Sequence, residues 1–154
     1  MIKIPTRLLV VASFLILLAA AVIYGLPYFY VVPILNYHSV NPVLYSDTPA
    51  VSQEVFAKQM EFIHRRGYRV ISLDEYFRQR RAGKRLRNAL VITLDDGYED
   101  NYLHAFPVLR KYHFPATIFV IIKHLNKPRF LKSEQIREME KENISFGSHT
   151  INHT

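Results

Sequence analysis

The strongest chemical signal in this 154-residue chain lies in four residues: the adjacent carboxylates Asp95 and Asp96 in "LDDGYED", and His149 and His153 in "GSHTINHT". The apolar run "ALVIT" at 89–93 leads into the carboxylates, and Gly97 follows them for a tight turn. The ends of strands are where parallel α/β sheets hold their chemistry. His149 also lies just past an apolar stretch, "ISFG", so parallel strands would bring it to the same edge as the carboxylates. One carboxylate and two imidazoles make a three-ligand site with open positions, the arrangement of a catalytic metal. Successive residues of an extended chain point in opposite directions. One aspartate can therefore face a metal while its neighbour faces a water or a substrate.

Neither motif is specific alone. Asp-Gly is common in turns, and a His-x-x-x-His pair arises readily in a chain with seven histidines, where a helix would put both imidazoles on one face. The metalloprotease helix His-Glu-x-x-His is excluded, because position 150 is Thr. The two-His-one-carboxylate iron site shares these ligand types, but it belongs to β-rich enzymes, and this chain has an α/β pattern.

That pattern supplies the elements that must position the four residues. "ILNY" (34–37), "YRVI" (68–71), 89–93, "ATIFVII" (116–122) and "ISFGS" (144–148) have the pattern of strands, with 89–93 and 116–122 of the buried type. Between them, "SQEVFAKQMEFIHRRG" has the spacing of a helix, with Ser52 as cap, Phe56, Met60 and Ile63 as its apolar stripe and Gly67 as its stop. Ser72 and Glu75 form a capping box for the next helix. A third helix runs through Ala105 and Phe106 to Tyr112, with Pro107 early in it, and Ser133 caps "EQIREMEKEN". Alternating strands and helices predict a parallel sheet with helices outside, and five strands are fewer than the eight of a closed barrel.

The N-terminus divides the chain at 32/33. Lys3 and Arg7 precede an apolar run from Leu8 to Tyr24, and no acidic residue occurs before Asp47. Residues 1–32 are therefore expected to form a short cytoplasmic start and a transmembrane signal-anchor, with Tyr28 and Tyr30 at its interface. Residues 33–154 follow on the extracytoplasmic side. A secreted form, cleaved after the small residues Ala19–Ala21, is the alternative. The chain has no Cys and a net charge of +7. Disulfide frameworks and thiolate metal sites are excluded, and export makes nucleic acid an unsuitable partner. The basic run "RQRRAGKRLR" (78–87) fits a solvated helix end, or alternatively an anionic surface.

Taken together, "PILNYHSV", "YRVISLDEY", "VITLDDGYEDNY", "FPATIFV" and "FGSHTINHT" resemble the polysaccharide deacetylases with a NodB homology domain (carbohydrate esterase family 4), in particular their exported poly-N-acetylglucosamine deacetylase-like branch. The resemblance runs from about Pro33 to Thr154. Leu94 departs from it, standing where the family commonly has Phe. The resemblance implies a (β/α) barrel of the NodB type, here a partial one behind the transmembrane helix. It implies Asp95 as catalytic base, Asp96, His149 and His153 as ligands of a divalent metal with Zn²⁺ expected, and His38 of "LNYHSV" as general acid. The remaining histidines, His64, His104, His113 and His124, match no motif. The implied reaction is hydrolysis of N-acetyl groups from an extracytoplasmic polysaccharide.

The family's later motifs supply an Arg that orients the base, an oxyanion amide and the walls of the acetyl pocket, and none occurs in this sequence. The 154-residue product is accordingly expected to be C-terminally truncated, with His153 frayed and turnover poor. Two alternatives carry no catalysis: a membrane-anchored glycan- or metal-binding remnant, and a basic surface-binding anchor protein.

Overall fold

The computed structural model describes residues 5–25, 31–41 and 49–153. Lys3, Tyr28, Tyr30 and residues 42–48 lie outside the described residues. The chain divides into two compact units, Met1–Val31 and Val32–Thr154. Among the described residues, the first unit holds one helix, α1 (Thr6–Gly25), made almost wholly of apolar residues. Twenty residues at 1.5 Å each give it a length of about 30 Å. It is long and apolar enough to cross a membrane.

The second unit is an α/β sheet. Its strands are β1 (Ile34–Tyr37), β2 (Arg69–Val70), β3 (Ala89–Leu94), β4 (Ala116–Val120) and β5 (Ile144–Ser148). Every pairing is parallel, in the order β1-β3-β4-β5, with β2 paired to the start of β3. Helices α2 (Gln53–Arg65), α3 (Leu73–Arg81), α4 (Phe106–Lys111) and α5 (Ser133–Glu140) fill the crossovers.

Central strand β3 is buried on both faces, as a covered parallel strand must be. Leu90, Ile92 and Leu94 enter the main core with Phe56, Met60 and Ile63 of α2, Phe106 and Leu109 of α4, and Ile118 of β4. On the opposite face, Ala89 and Val91 join a smaller cluster with Val32, Ile71 and Leu86. Two residues further along that second face the side chains turn polar, first Thr93 and then Asp95. A polar row crosses the sheet at this level, because Asn36 pairs with Thr93, Thr93 with Thr117 and Thr117 with Ser145.

Several local readings change. β2 spans two residues rather than 68–71, because the chain leaves the sheet at Ile71 and Ser72 caps α3 through the Glu75 amide. The helix before Tyr112 opens as a π-helical turn (Asn101–Ala105), and Pro107 sits in the first turn of α4, where its missing N–H costs nothing. Lys132, not Ser133, is the N-cap of α5. Its amide donates to Gln135 Oε1, while the Ser133 hydroxyl is occupied by Asn126. The six cations of 78–87 are all exposed, and Leu86 between them is buried.

Candidate metal and acid-base site

The end of β3 divides the two carboxylates. Asp95 continues the face of Thr93 by the period of two, and its amide still donates to Tyr37 O of β1 at 2.9 Å. Asp96 then leaves the strand in the left-handed region at φ 71°, followed by Gly97 at φ 72°. A Cβ on Gly97 would stand 2.8 Å from Val120 Cγ1, so only glycine lets the turn pack against the end of β4. This left-handed pair turns the Asp96 side chain inward, where it is 3% exposed.

His149 and His153 meet Asp96 there. Their Nε2 atoms lie 3.5 and 3.4 Å from Asp96 Oδ1, and the three potential ligand atoms fall within 4.8 Å of one another. The pair does not sit on a helix. His149 follows β5 directly and His153 comes round through a turn in which Thr150 and His153 both have positive φ. Main-chain bonds join the start of this segment to the end of β4 and the residues after it. His149 N donates to Val120 O, while Ile122 N and Lys123 N donate to Thr150 O and Ile151 O.

Two observations test whether this trio suits a cation. Asp96 Oδ1 is buried with no hydrogen-bond partner among the described residues, and a buried carboxylate oxygen without compensation costs several kcal/mol. Bonds of about 2.0–2.2 Å place the ligand atoms of a tetrahedral zinc about 3.3–3.6 Å apart, which matches both measured oxygen–nitrogen separations. The donor set and its spacing fit a divalent ion of the zinc type.

On the other side of Asp95 stands β1. Asn36 is the register partner of Thr93, and His38 follows directly on Tyr37, the last residue of β1. His38 Nε2 lies 4.0 Å from Asp95 Oδ2. Asn36 Nδ2 donates to the same oxygen at 2.9 Å, and Thr93 Oγ1 donates to Asn36 Oδ1 at 2.8 Å. The structure thus brings all five sequence-derived residues to one end of the sheet. The other four histidines stay apart from it: His64, for example, packs on Tyr112, and His124 on Phe130.

The segment carrying His38 has a support that motif reading missed. Asp100, buried, accepts from the Ser39 hydroxyl and from Val40 N. Asn101 Nδ2 donates both to Asp100 Oδ1 and to His38 O, each at 2.9 Å. Burial pushes the Asp100 carboxyl above its ordinary range, opposed by the hydrogen bonds from Ser39 and Val40. In sequence Asp100 and Asn101 look like the polar end of an acidic turn; only tertiary burial separates them from it. Asn36 and Thr93 had a readable signal, since each precedes a candidate residue by two.

Comparison with known proteins supplies independent findings. A family model described as polysaccharide deacetylase matches residues 82–154. The Bacillus subtilis polysaccharide deacetylase YxkH is 38% identical over 122 residues, covering 79% of this chain and 43% of its own length. The poly-β-1,6-N-acetyl-D-glucosamine N-deacetylase of Staphylococcus epidermidis is 32% identical over 107 residues, covering 66% of this chain and 37% of its own. Among solved structures, Streptococcus pyogenes deacetylase PplD in complex with acetate matches with a TM-score of 0.71 at 29% identity, covering 80% of this chain and 57% of that one. IcaB from Ammonifex degensii also gives 0.71, at 31% identity over 78% and 53%. The chain therefore spans less than half the length of these curated relatives.

Proposed function

The chain belongs to the polysaccharide deacetylase family, and from that premise we propose that the protein removes N-acetyl groups from an extracytoplasmic amino-sugar polysaccharide. One observation carries the reading: an aspartate–histidine pair and a three-ligand cluster meet at the ends of β1, β3 and β5, sharing consecutive carboxylates. Asp96, His149 and His153 would hold the divalent metal, Zn²⁺ by their chemistry. When bound, that ion supplies Lewis acidity, easing deprotonation of a water and stabilising negative charge on the acetyl oxygen.

The remaining work falls to the chain's own side chains. Asp95 accepts the proton of the attacking water as general base. His38, on the far side of Asp95 Oδ2, delivers a proton to the departing amine, so that acetate and a free amino sugar result. The helix α1 serves as a single-pass anchor, with the sheet unit on the extracytoplasmic side.

The test is acetate release from N-acetylglucosamine oligomers by the zinc-loaded protein, with Asp95→Ala and chelator-treated samples beside it. Release should vanish in both. Acetate release that survives both treatments overturns the reading.

A further inference from the structure

We infer that Asn36, locked by Thr93, is the residue that positions the Asp95 carboxylate. The inference rests on Asp95 being the base. Its ground is the direction of one short hydrogen-bond chain. An ionised carboxylate only accepts, so Asn36 must present Nδ2 to Asp95 Oδ2, as the 2.9 Å contact shows. Its Oδ1 is then left needing a donor, and the Thr93 hydroxyl provides one at 2.8 Å. Turning the amide over would set Oδ1 against Oδ2, acceptor against acceptor. Thr93 is 5% exposed, so its hydroxyl has little water to donate to instead. The order Thr93→Asn36→Asp95 is thereby fixed.

Register makes the arrangement rigid. Asn36 and Thr93 are direct partners across β1 and β3, and the Asp95 amide bonds to Tyr37 O in the next step of the same ladder. Both strands thus hold the acceptor and the donor at a constant separation. With Oδ2 occupied, Asp95 loses rotation about its carboxyl bond. With Oδ2 so engaged, Oδ1 is the oxygen left to take the proton. Asn36 therefore acts through Asp95 and touches no substrate itself.

The experiment uses the zinc-loaded full chain with Asn36→Ala, Thr93→Val and Thr93→Ser. A hydrogen bond to a charged group supports an effect of about ten-fold or more. We expect kcat to fall by about ten-fold in Asn36→Ala and Thr93→Val, with KM and zinc affinity unchanged, and Thr93→Ser to recover it. A readout free of turnover runs alongside. The Asn36 side-chain amide proton resonances should shift in Asp95→Ala and in Thr93→Val toward those of a free amide. Wild-type kcat in Asn36→Ala, or Asn36 amide resonances indifferent to Asp95→Ala, would overturn the proposal. Wild-type turnover in Asp95→Ala instead removes the base assignment, and the amide resonances distinguish that outcome because they still shift between wild type and Asp95→Ala.

Discussion

Asp95 and Asp96 are neighbours in the chain, yet the halves of the site they serve are built by different means. The β1 side, with Asn36, His38 and Asp95, rests on strand register: Asn36 pairs with Thr93 across two parallel strands, and His38 and Asp95 directly follow the ends of those strands. The β5 side, with Asp96, His149 and His153, is a product of turns in the left-handed region, held by main-chain bonds to the segment after β4. A register-built half is stiff and needs few special residues. A turn-built half can bring three ligands to one point, but it depends on a glycine that nothing can replace at 97 and on backbone held away from its ordinary conformation.

That contrast can be broken most severely on the turn side. Asp96→Ala should abolish measurable zinc binding, and turnover with it. The loss should exceed the about 10–100-fold expected for an outer-shell partner. Metal analysis after dialysis reads it directly, and retained stoichiometric zinc would show that the ligand set is elsewhere. On the register side, His38→Ala should lower kcat by about 10²–10⁴-fold while zinc content stays at the wild-type level. Loss of zinc in that variant would merge the two halves into one.

The smallest effect sharpens the comparison through the support beneath His38. Burial raises the Asp100 carboxyl, so the folded state holds its proton to higher pH than the unfolded chain does. The stabilising contribution of the protonated form is therefore complete below the unfolded pKa and is lost as pH rises through the folded value. Asp100→Asn keeps an acceptor for Ser39 and Val40 and removes that titration. Its stability relative to wild type should improve as pH rises from about 4 toward neutrality. Urea denaturation across that range measures it; a gap independent of pH would show that Asp100 titrates alike in both states.

How far each half could be read from sequence follows the same division. The strand at 89–93 was legible because a parallel strand covered on both faces carries a continuous apolar run. The stripe Phe56, Met60 and Ile63 was legible because helical spacing repeats. The alternation that puts Asn36 beside Thr93 was available in principle, but which strands are neighbours is a tertiary fact, and β1 passes over β2 to reach β3. The turn at 149–153 was beyond reach, since nothing in "HTINHT" announces positive φ at Thr150 and His153. The cap of α5 went to Lys132 rather than Ser133 because Asn126, seven residues away, claims the serine hydroxyl. The burial of Asp100 was hidden for a like reason, its partners Ser39 and Val40 coming from the far end of the fold.

The strand order also has a consequence in time. β1 is the first strand of the sheet to be synthesised, but Ile34 has no partner until Val91 exists, whereas Thr93 meets Thr117 and Ala116 meets Ile144 over much shorter stretches of chain. The longer closure adds only about 0.6 kcal/mol for each doubling of length, so thermodynamics hardly penalises the delay. What the delay does create is an interval in which β1 waits with its backbone donors and acceptors open to any passing strand. A long apolar β1 would invite wrong partners during that wait. This one is four residues long, carries Asn36 near its middle and passes straight into His38 and Ser39. The polar groups assigned to the chemistry of the finished protein thus also shorten the apolar edge that the waiting strand presents.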